Sequence, residues 1–398
     1  MPRLPEPWIP AARKTLPAMR AWRVAFHKEP ELSLQEKRTR DKVVAALSEL
    51  GISYQAFDGF TGVVGLIPGS SDRPVVALRA DMDALPVTEE THLSYASRFS
   101  GKMHACGHDV HMSCLLGAAA ILTREGRRPR GPVKLLFQPA EEEGQRGGAL
   151  PMIELGCLER PKVDFVVGQH VEPNLPLGDV GWRSGPFFAA ADFFRITVIG
   201  RGGHAASPHQ GPDAIVVASE IVNGLQALVS RVRDPLDPVV VSVGSIHGGT
   251  RNNILPSEVV LEGTVRTFRP ATRDLIDVAL HRRVSAIARS LGARARIEYL
   301  RGYPTLVNEP KATHIVADAL RVEFGQKHCI EVPDPVMGAE DFARYLERVP
   351  GTFLHLGVGV PDRPASLHSA TFAPDERALV YGAAALAAAA DGLQRSAA

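Results

Sequence analysis

Cysteine is scarce in this chain: four residues in 398, at positions 106, 114, 157 and 329, with no repeated spacing. That excludes a disulfide-stapled fold and a zinc ribbon, both of which need paired cysteines, and it suits a reducing cytosol. A surplus of either charge is also missing, because 45 Lys and Arg offset 44 Asp and Glu. There is therefore no basic stripe for nucleic acid and no cluster for anionic lipid. Long apolar runs are absent too: the small-apolar stretch near Gly382–Ala390 is too short to span a bilayer. Met1 to Lys14 lacks the apolar core of a secretory signal and is broken by Pro2, Pro5, Pro7 and Pro10. These absences predict a cytoplasmic enzyme or binding protein, with neither nucleic acid nor membrane as partner.

What is present points to two domains, since 398 residues exceed what one compact core usually holds. Arg38–Leu50 has helical apolar spacing and stops at Gly51, and Gly62–Ile67 and Val75–Leu78 read as strands. Ser113–Thr123 reads as an alanine-rich helix, then Val133–Phe137 and Phe165–Gly168 as buried strands. Such alternation implies an α/β layer architecture. The pattern changes at Gly185. Strands at Asp192–Ile199, Val239–Ile246, Glu258–Thr267 and Arg294–Tyr299 interleave with helices at Asp213–Val229 and Thr272–Leu291. That order, βαββαβ, is the split ferredoxin-like unit. After Tyr303 the first pattern resumes, with a helix at Lys311–Phe324, a strand at Thr352–Leu356 and a final helix at Asp375–Leu393. The predicted division is residues 1–185 and 303–398 as one domain, with 186–302 inserted into it.

The densest chemistry lies in Met103-His104-Ala105-Cys106-Gly107-His108-Asp109-Val110-His111. A thiol and imidazoles at this spacing are what divalent transition metals prefer. Cys106 and His108, at i and i+2 in a glycine-containing turn, can face one point; His104 and His111 are left out of the ligand set, and either can serve as a residue supporting the ligands. Phe137-Gln138-Pro139-Ala140-Glu141-Glu142-Glu143 puts three acids at the exit of a buried strand, which is costly unless a cation neutralises them. One acid can then ligate while its neighbour serves as a base. His170 follows another strand, and His368 lies in Leu367-His368-Ser369. Taken singly, each has an ordinary reading: a buried free cysteine, a solvated acidic loop, a hydrogen-bonded histidine. Strand ends of an α/β sheet, however, bring separate segments to one crevice. Five ligands exceed one open tetrahedral zinc and suit two metals sharing a water.

These motifs, in this order, resemble those of the aminoacylase/carboxypeptidase-type amidohydrolases, in the branch of hippurate hydrolases and indoleacetyl–amino acid hydrolases. The resemblance runs from His27-Lys28-Glu29-Pro30-Glu31-Leu32 through Arg79-Ala80-Asp81-Met82-Asp83-Ala84-Leu85-Pro86, MHACGHDVH and FQPAEE. It continues with the segment at His170, GRGGHAASPH at Gly200–His209, NILP, GTVRTF, MGAEDF at Met337 and LHS at His368. It implies a mixed-sheet metallopeptidase-like catalytic domain with an inserted ferredoxin-like lid and dimerisation domain. It implies Cys106, His108, Glu142, His170 and His368 as ligands to two divalent ions (Zn, Mn, Co or Ni), Glu141 as general base, and Asp81 as an acid orienting a ligating histidine. In the insert, His204 corresponds to a histidine that stabilises the oxyanion in the partner subunit's site, and Asn253 to a residue near the substrate's carboxylate, with Arg266 assisting. The implied activity is hydrolysis of N-acyl amino acids by a homodimer; the alternative is a dipeptidase or carboxypeptidase on the same scaffold. Two departures lie beside the ligands: Glu143, where relatives commonly have glycine, and Gln169, where an apolar residue is usual.

Overall fold

A computed structural model describes residues 7–124, 127–360 and 366–396. The chain divides into two compact units: Met1–Phe187 with Val307–Pro335 and Asp341–Ala398, and Phe188–Leu306 with Val336–Glu340. The short return of 336–340 to the second unit has no counterpart in the sequence reading.

The first unit opens with helix α1 (Trp8–His27), where the sequence suggested only a proline-broken segment. Pro7 precedes the helix and Pro10 lies in its first turn, where a missing N–H costs nothing; Pro2 and Pro5 lie outside the described residues. Helix α2 (Lys37–Glu49) follows, then strands β1 (Ser53–Phe57), β2 (Phe60–Ile67) and β3 (Val76–Asp81). Helix α3 (His108–Leu122), β4 (Val133–Gln138), β5 (Phe165–Pro176) and β6 (Val180–Trp182) come next. With Cys329–Glu331 and Gly351–Gly359 these strands form one eight-stranded sheet, in the order β1, β2, β4, β3, β5, Gly351–Gly359, β6, Cys329–Glu331. The central run β4, β3, β5 and Gly351–Gly359 is parallel and its flanks are partly antiparallel, so the sheet is mixed. In the parallel run the carboxyl ends of neighbouring strands lie side by side: Asp81 is in register with Gln138, and His170 with His355. Strand β5 runs past Gly168 to Pro176 because Gly351–Gly359 keeps pairing with it, so His170 is inside a strand rather than after one.

Helix α3 is buried on nearly every side, as expected of a helix without a polar face. It packs with α1 and the helix Ala378–Ser396. Gly117 makes that contact close, since a Cβ there would sit 2.2 Å from Met19 Sδ. The helix begins at His108, five residues before the predicted start, because Gly107 adopts a left-handed conformation (φ 81°) and turns the chain into it.

The second unit is a four-stranded antiparallel sheet ordered Val239–His247, Glu258–Thr267, Ala190–Ile199, Arg294–Arg301. Helices Ala214–Arg231 and Pro270–Ser290 cover it through a core that includes Ile196, Val217, Ile221, Leu261, Ile276 and Leu280. Asp213 caps the first of these helices by accepting from the Ile215 N–H at 2.9 Å. Among the described residues this helix is the one long and apolar enough to cross a membrane, and its Val217, Ile221, Leu225 and Leu228 are buried in the unit's core.

Candidate metal centre

At the carboxyl ends of the parallel strands, five side chains converge from four distant segments. Cys106 Sγ lies 3.2 Å from His170 Nε2 and 3.3 Å from His368 Nε2. Glu142 Oε1 is 3.4 Å from His368 Nε2 and 3.9 Å from His108 Nε2. Donor atoms of Cys106, His108 and His170 lie within 4.8 Å of one another, as do those of Cys106, Glu142 and His368, and those of His108, Glu141 and Glu142. Every ligand expected from the sequence is therefore in one cluster, with Glu141 beside it and buried.

The cluster's electrostatics ask for positive charge. His108 Nε2 and Glu142 Oε1 are buried and make no hydrogen bond among the described residues, an arrangement that costs roughly 1–3 kcal/mol per group unless something occupies the space between them. Burial and the carboxylates of Glu142 and Glu141 push the Cys106 thiol well up, so a thiolate here needs a cation beside it. Burial opposes a charge on His108, yet Asp81 and Asp83 raise it to about 10. A soft thiol, imidazoles and a carboxylate gathered in this way fit divalent transition metals.

The surrounding contacts set ring orientation. The His170 Nδ1–H donates to Val171 O at 2.7 Å, aiming Nε2 at Cys106. His108 Nδ1 lies 2.9 Å from Asp83 O and 3.2 Å from Asp83 Oδ1, which leaves Nε2 for the cluster. Asp83 is thus the acid that orients His108, and the candidate set omitted it. Asp81 instead touches His111, Nδ1 to Oδ1 at 2.6 Å, and stands 3.8 Å from His108 Nε2. The signal was available in Asp81-Met82-Asp83: β3 ends at Asp81, so the second acid of the pair reaches beyond the sheet. His104 is buried with neither ring nitrogen hydrogen-bonded among the described residues, and burial lowers it to about 4.

The turn bearing Glu141 and Glu142 is held by carboxylates. Ala140 is left-handed (φ 57°), and its N–H donates to Glu36 Oε1 at 2.9 Å. The Glu142 N–H donates to Asp83 Oδ2 at 2.9 Å. Glu143 Oε2 accepts from the N–H groups of Gln145, Arg146 and Gly147 at 3.0, 2.7 and 3.0 Å. The extra acid therefore ties down its own loop. Behind the turn, fully buried Arg79 donates to Asp81 at 2.6 Å, to Asp341 at 2.9 Å and to Gln138 at 2.9 Å. Gln169, the other departure, is buried under Gly382 with its amide against the Cys114 thiol.

In the second unit, His204 lies on the two-residue strand Gly203–His204, paired with Ile254–Leu255, and Asn253 O accepts from the Ala205 N–H at 3.1 Å. His204 and Asn253 are therefore neighbours, and both are exposed. His204 Nδ1 accepts from the Ala206 N–H at 3.0 Å, which puts the ring proton on Nε2. Arg266 is not with them. It is opposite Ala191, whereas Glu258, nearest the His204 pair, is opposite Ile199. Eight residues of strand place it about 26 Å further along the sheet, with its guanidinium over Phe193 and donating to Val265 O.

Comparison with known proteins agrees with this chemistry. The family model of peptidase family M20/M25/M40 matches residues 77–392. An N-acetyl-L-cysteine deacetylase of Bacillus subtilis strain 168 is 41% identical over 357 residues, covering 89% of this chain and 83% of its own. Thermostable carboxypeptidase 1 of Saccharolobus solfataricus is 39% identical over 384 residues, 96% and 94% of the two chains. The crystal structure of Bacillus subtilis YXEP protein, described as a dinuclear metal binding peptidase, superposes with a TM-score of 0.81 at 32% identity, covering 96% and 99%.

Proposed function

The chain belongs to peptidase family M20/M25/M40, and from that premise we propose that this metal-dependent amide hydrolase cleaves N-acyl amino acids into a carboxylic acid and a free amino acid. The observation that carries the reading is the convergence of Cys106, His108, Glu142, His170 and His368 beside Glu141, with the buried His108 Nε2 and Glu142 Oε1 making no hydrogen bond among the described residues. Cys106, His108, Glu142, His170 and His368 would hold two divalent cations, which supply Lewis-acid polarisation of the amide carbonyl and acidify water toward neutrality. Glu141 takes a proton from the attacking water on its carboxylate and delivers it to the leaving nitrogen. His204 of a second copy donates its Nε2–H to the oxyanion, and Asn253 beside it binds the substrate's carboxylate; Arg266, far along its strand, has no part in that subsite.

A homodimer through the second unit is supported by apolar side chains left in solvent there, Ile215, Val216 and Ile246. A cytoplasmic location is supported by four cysteines that are all unpaired. Glu141→Gln tests the reading: bound metal measured by elemental analysis should stay at the wild-type level while turnover falls at least 100-fold. Retained turnover would remove the base. The similarity to a carboxypeptidase favours a second reading, cleavage of peptides on the same scaffold. Rates on hippurate and N-acetyl amino acids against free dipeptides separate the two.

A further inference from the structure

His111 sits between two ligands, its ring centroid 5.4 Å from that of His108 and 4.8 Å from that of His170, yet neither nitrogen is available to a cation. The Val171 N–H donates to Nε2 at 2.9 Å, so Nε2 carries no proton. The proton is then on Nδ1, which donates to Asp81 Oδ1 at 2.6 Å. Asp81 is fixed in turn by Arg79 at 2.6 Å, and Arg79 by Asp341 at 2.9 Å. We propose that His111 is a positioning residue: its ring spans from the Asp81 carboxylate to the Val171 N–H and fixes the backbone from which His170 reaches the metal centre.

The geometry explains why a neutral histidine is placed there. Residues 108 and 111 are three apart on α3, so both rings lie on the helix face toward the sheet. His108 spends its outer nitrogen on the cluster, and His111 spends its own on strand β5. The strand carries Val171 next to His170, and the same residue's carbonyl accepts from His170 Nδ1. His111 and His170 thus hold one residue from its two backbone groups. Asp81, through Arg79 and Asp341, keeps the His111 ring in the tautomer that can accept. The assignment rests on the two-cation reading of the site.

Two substitutions separate the ring's two contacts. In H111Q the amide oxygen can replace Nε2 as acceptor for the Val171 N–H; in H111N the shorter amide can donate to Asp81 but does not reach Val171. Titration of each metal-free protein with Co2+ reads stoichiometry, affinity and the visible absorption of the bound ion. Wild type and H111Q should each bind two Co2+ with matching spectra, whereas H111N should bind two with affinity lowered about tenfold or more and a shifted spectrum. Loss of one Co2+ from H111N, with its thermal transition retained, would make His111 a ligand and overturn the proposal. Wild-type affinity in H111N, or weakening of H111Q to the H111N level, would overturn it as well. Should H111N fail to fold, the H111Q affinity alone decides. A wild-type protein that binds no Co2+ defeats the proposed function itself, a separate outcome.

Discussion

The end of the large sheet that gathers Cys106, His108, Glu142 and His170 is buried and hydrogen-bonded from behind, whereas the strand pair carrying His204 and Asn253 is exposed. In the first region a second residue orients His108 (Asp83), His170 (the Val171 carbonyl) and the Glu142 backbone (Asp83). In the second, His204 is oriented by one backbone N–H two residues away. A metal centre needs donors fixed before the cation arrives, so its supports belong to the core. A hydrogen-bond donor that meets substrate needs little more than reach. Substitutions in the first region should therefore change stability and chemistry together, and in the second chemistry alone.

The strongest test of that contrast is Arg79→Leu. It leaves Asp81 and Asp341 buried without their shared cation, and chemical denaturation should register a loss of about 3–5 kcal/mol. A loss below about 1 kcal/mol would show that the buried network does not hold the region together.

Next is pH. His27 lies in the core with its ring nitrogens 2.9 Å from Asp109 and 3.1 Å from Glu89. Burial opposes its charge, but the two carboxylates raise it to about 9 from 6.5. A raised folded value means the stabilisation is complete below about pH 6.5 and lost as pH climbs through 9, by roughly 3 kcal/mol in all. Melting temperature should fall over that window, and His27→Gln should flatten the slope. An unchanged slope in the variant would assign the effect elsewhere.

A smaller change of opposite sign is expected from Gln169→Leu. Removing a buried amide whose hydrogen-bond partner is the weakly bonding Cys114 thiol should stabilise the protein by about 1 kcal/mol, with metal content unaltered. Smallest in stability is His204→Ala, expected within about 0.5 kcal/mol of wild type while turnover falls roughly 100-fold. Mixing that variant with Glu141→Gln should recover activity if His204 serves a second copy; subunit exchange without recovery would place its action within one chain.

That Cys106, His108, Glu142, His170 and His368 meet was legible because their segments lie near strand ends of one sheet, where separate stretches of an α/β chain converge. Strand and helix order in the second unit was legible because periods of 2 and 3.6 are unambiguous there. Helix α1 was obscured by its own prolines, which local rules read as breaks although Pro7 and Pro10 sit where a helix tolerates them. The first five residues of α3 were hidden by a left-handed glycine that no periodicity reveals. The choice between Asp81 and Asp83 turns on where β3 stops, and the distance of Arg266 from His204 on a strand register; neither is written in one segment of sequence.

Val171 has no reactive atom, yet its N–H, its carbonyl and its side chain are all engaged: the first two by His111 and His170, the third by a glycine at 107 whose missing methyl would lie 2.6 Å from Val171 Cγ2. An ordinary aliphatic residue consequently works as a gauge block between the helix and strand that present the imidazoles. Changing the bulk at this position alters the spacing between that helix and strand while leaving the imidazoles themselves untouched.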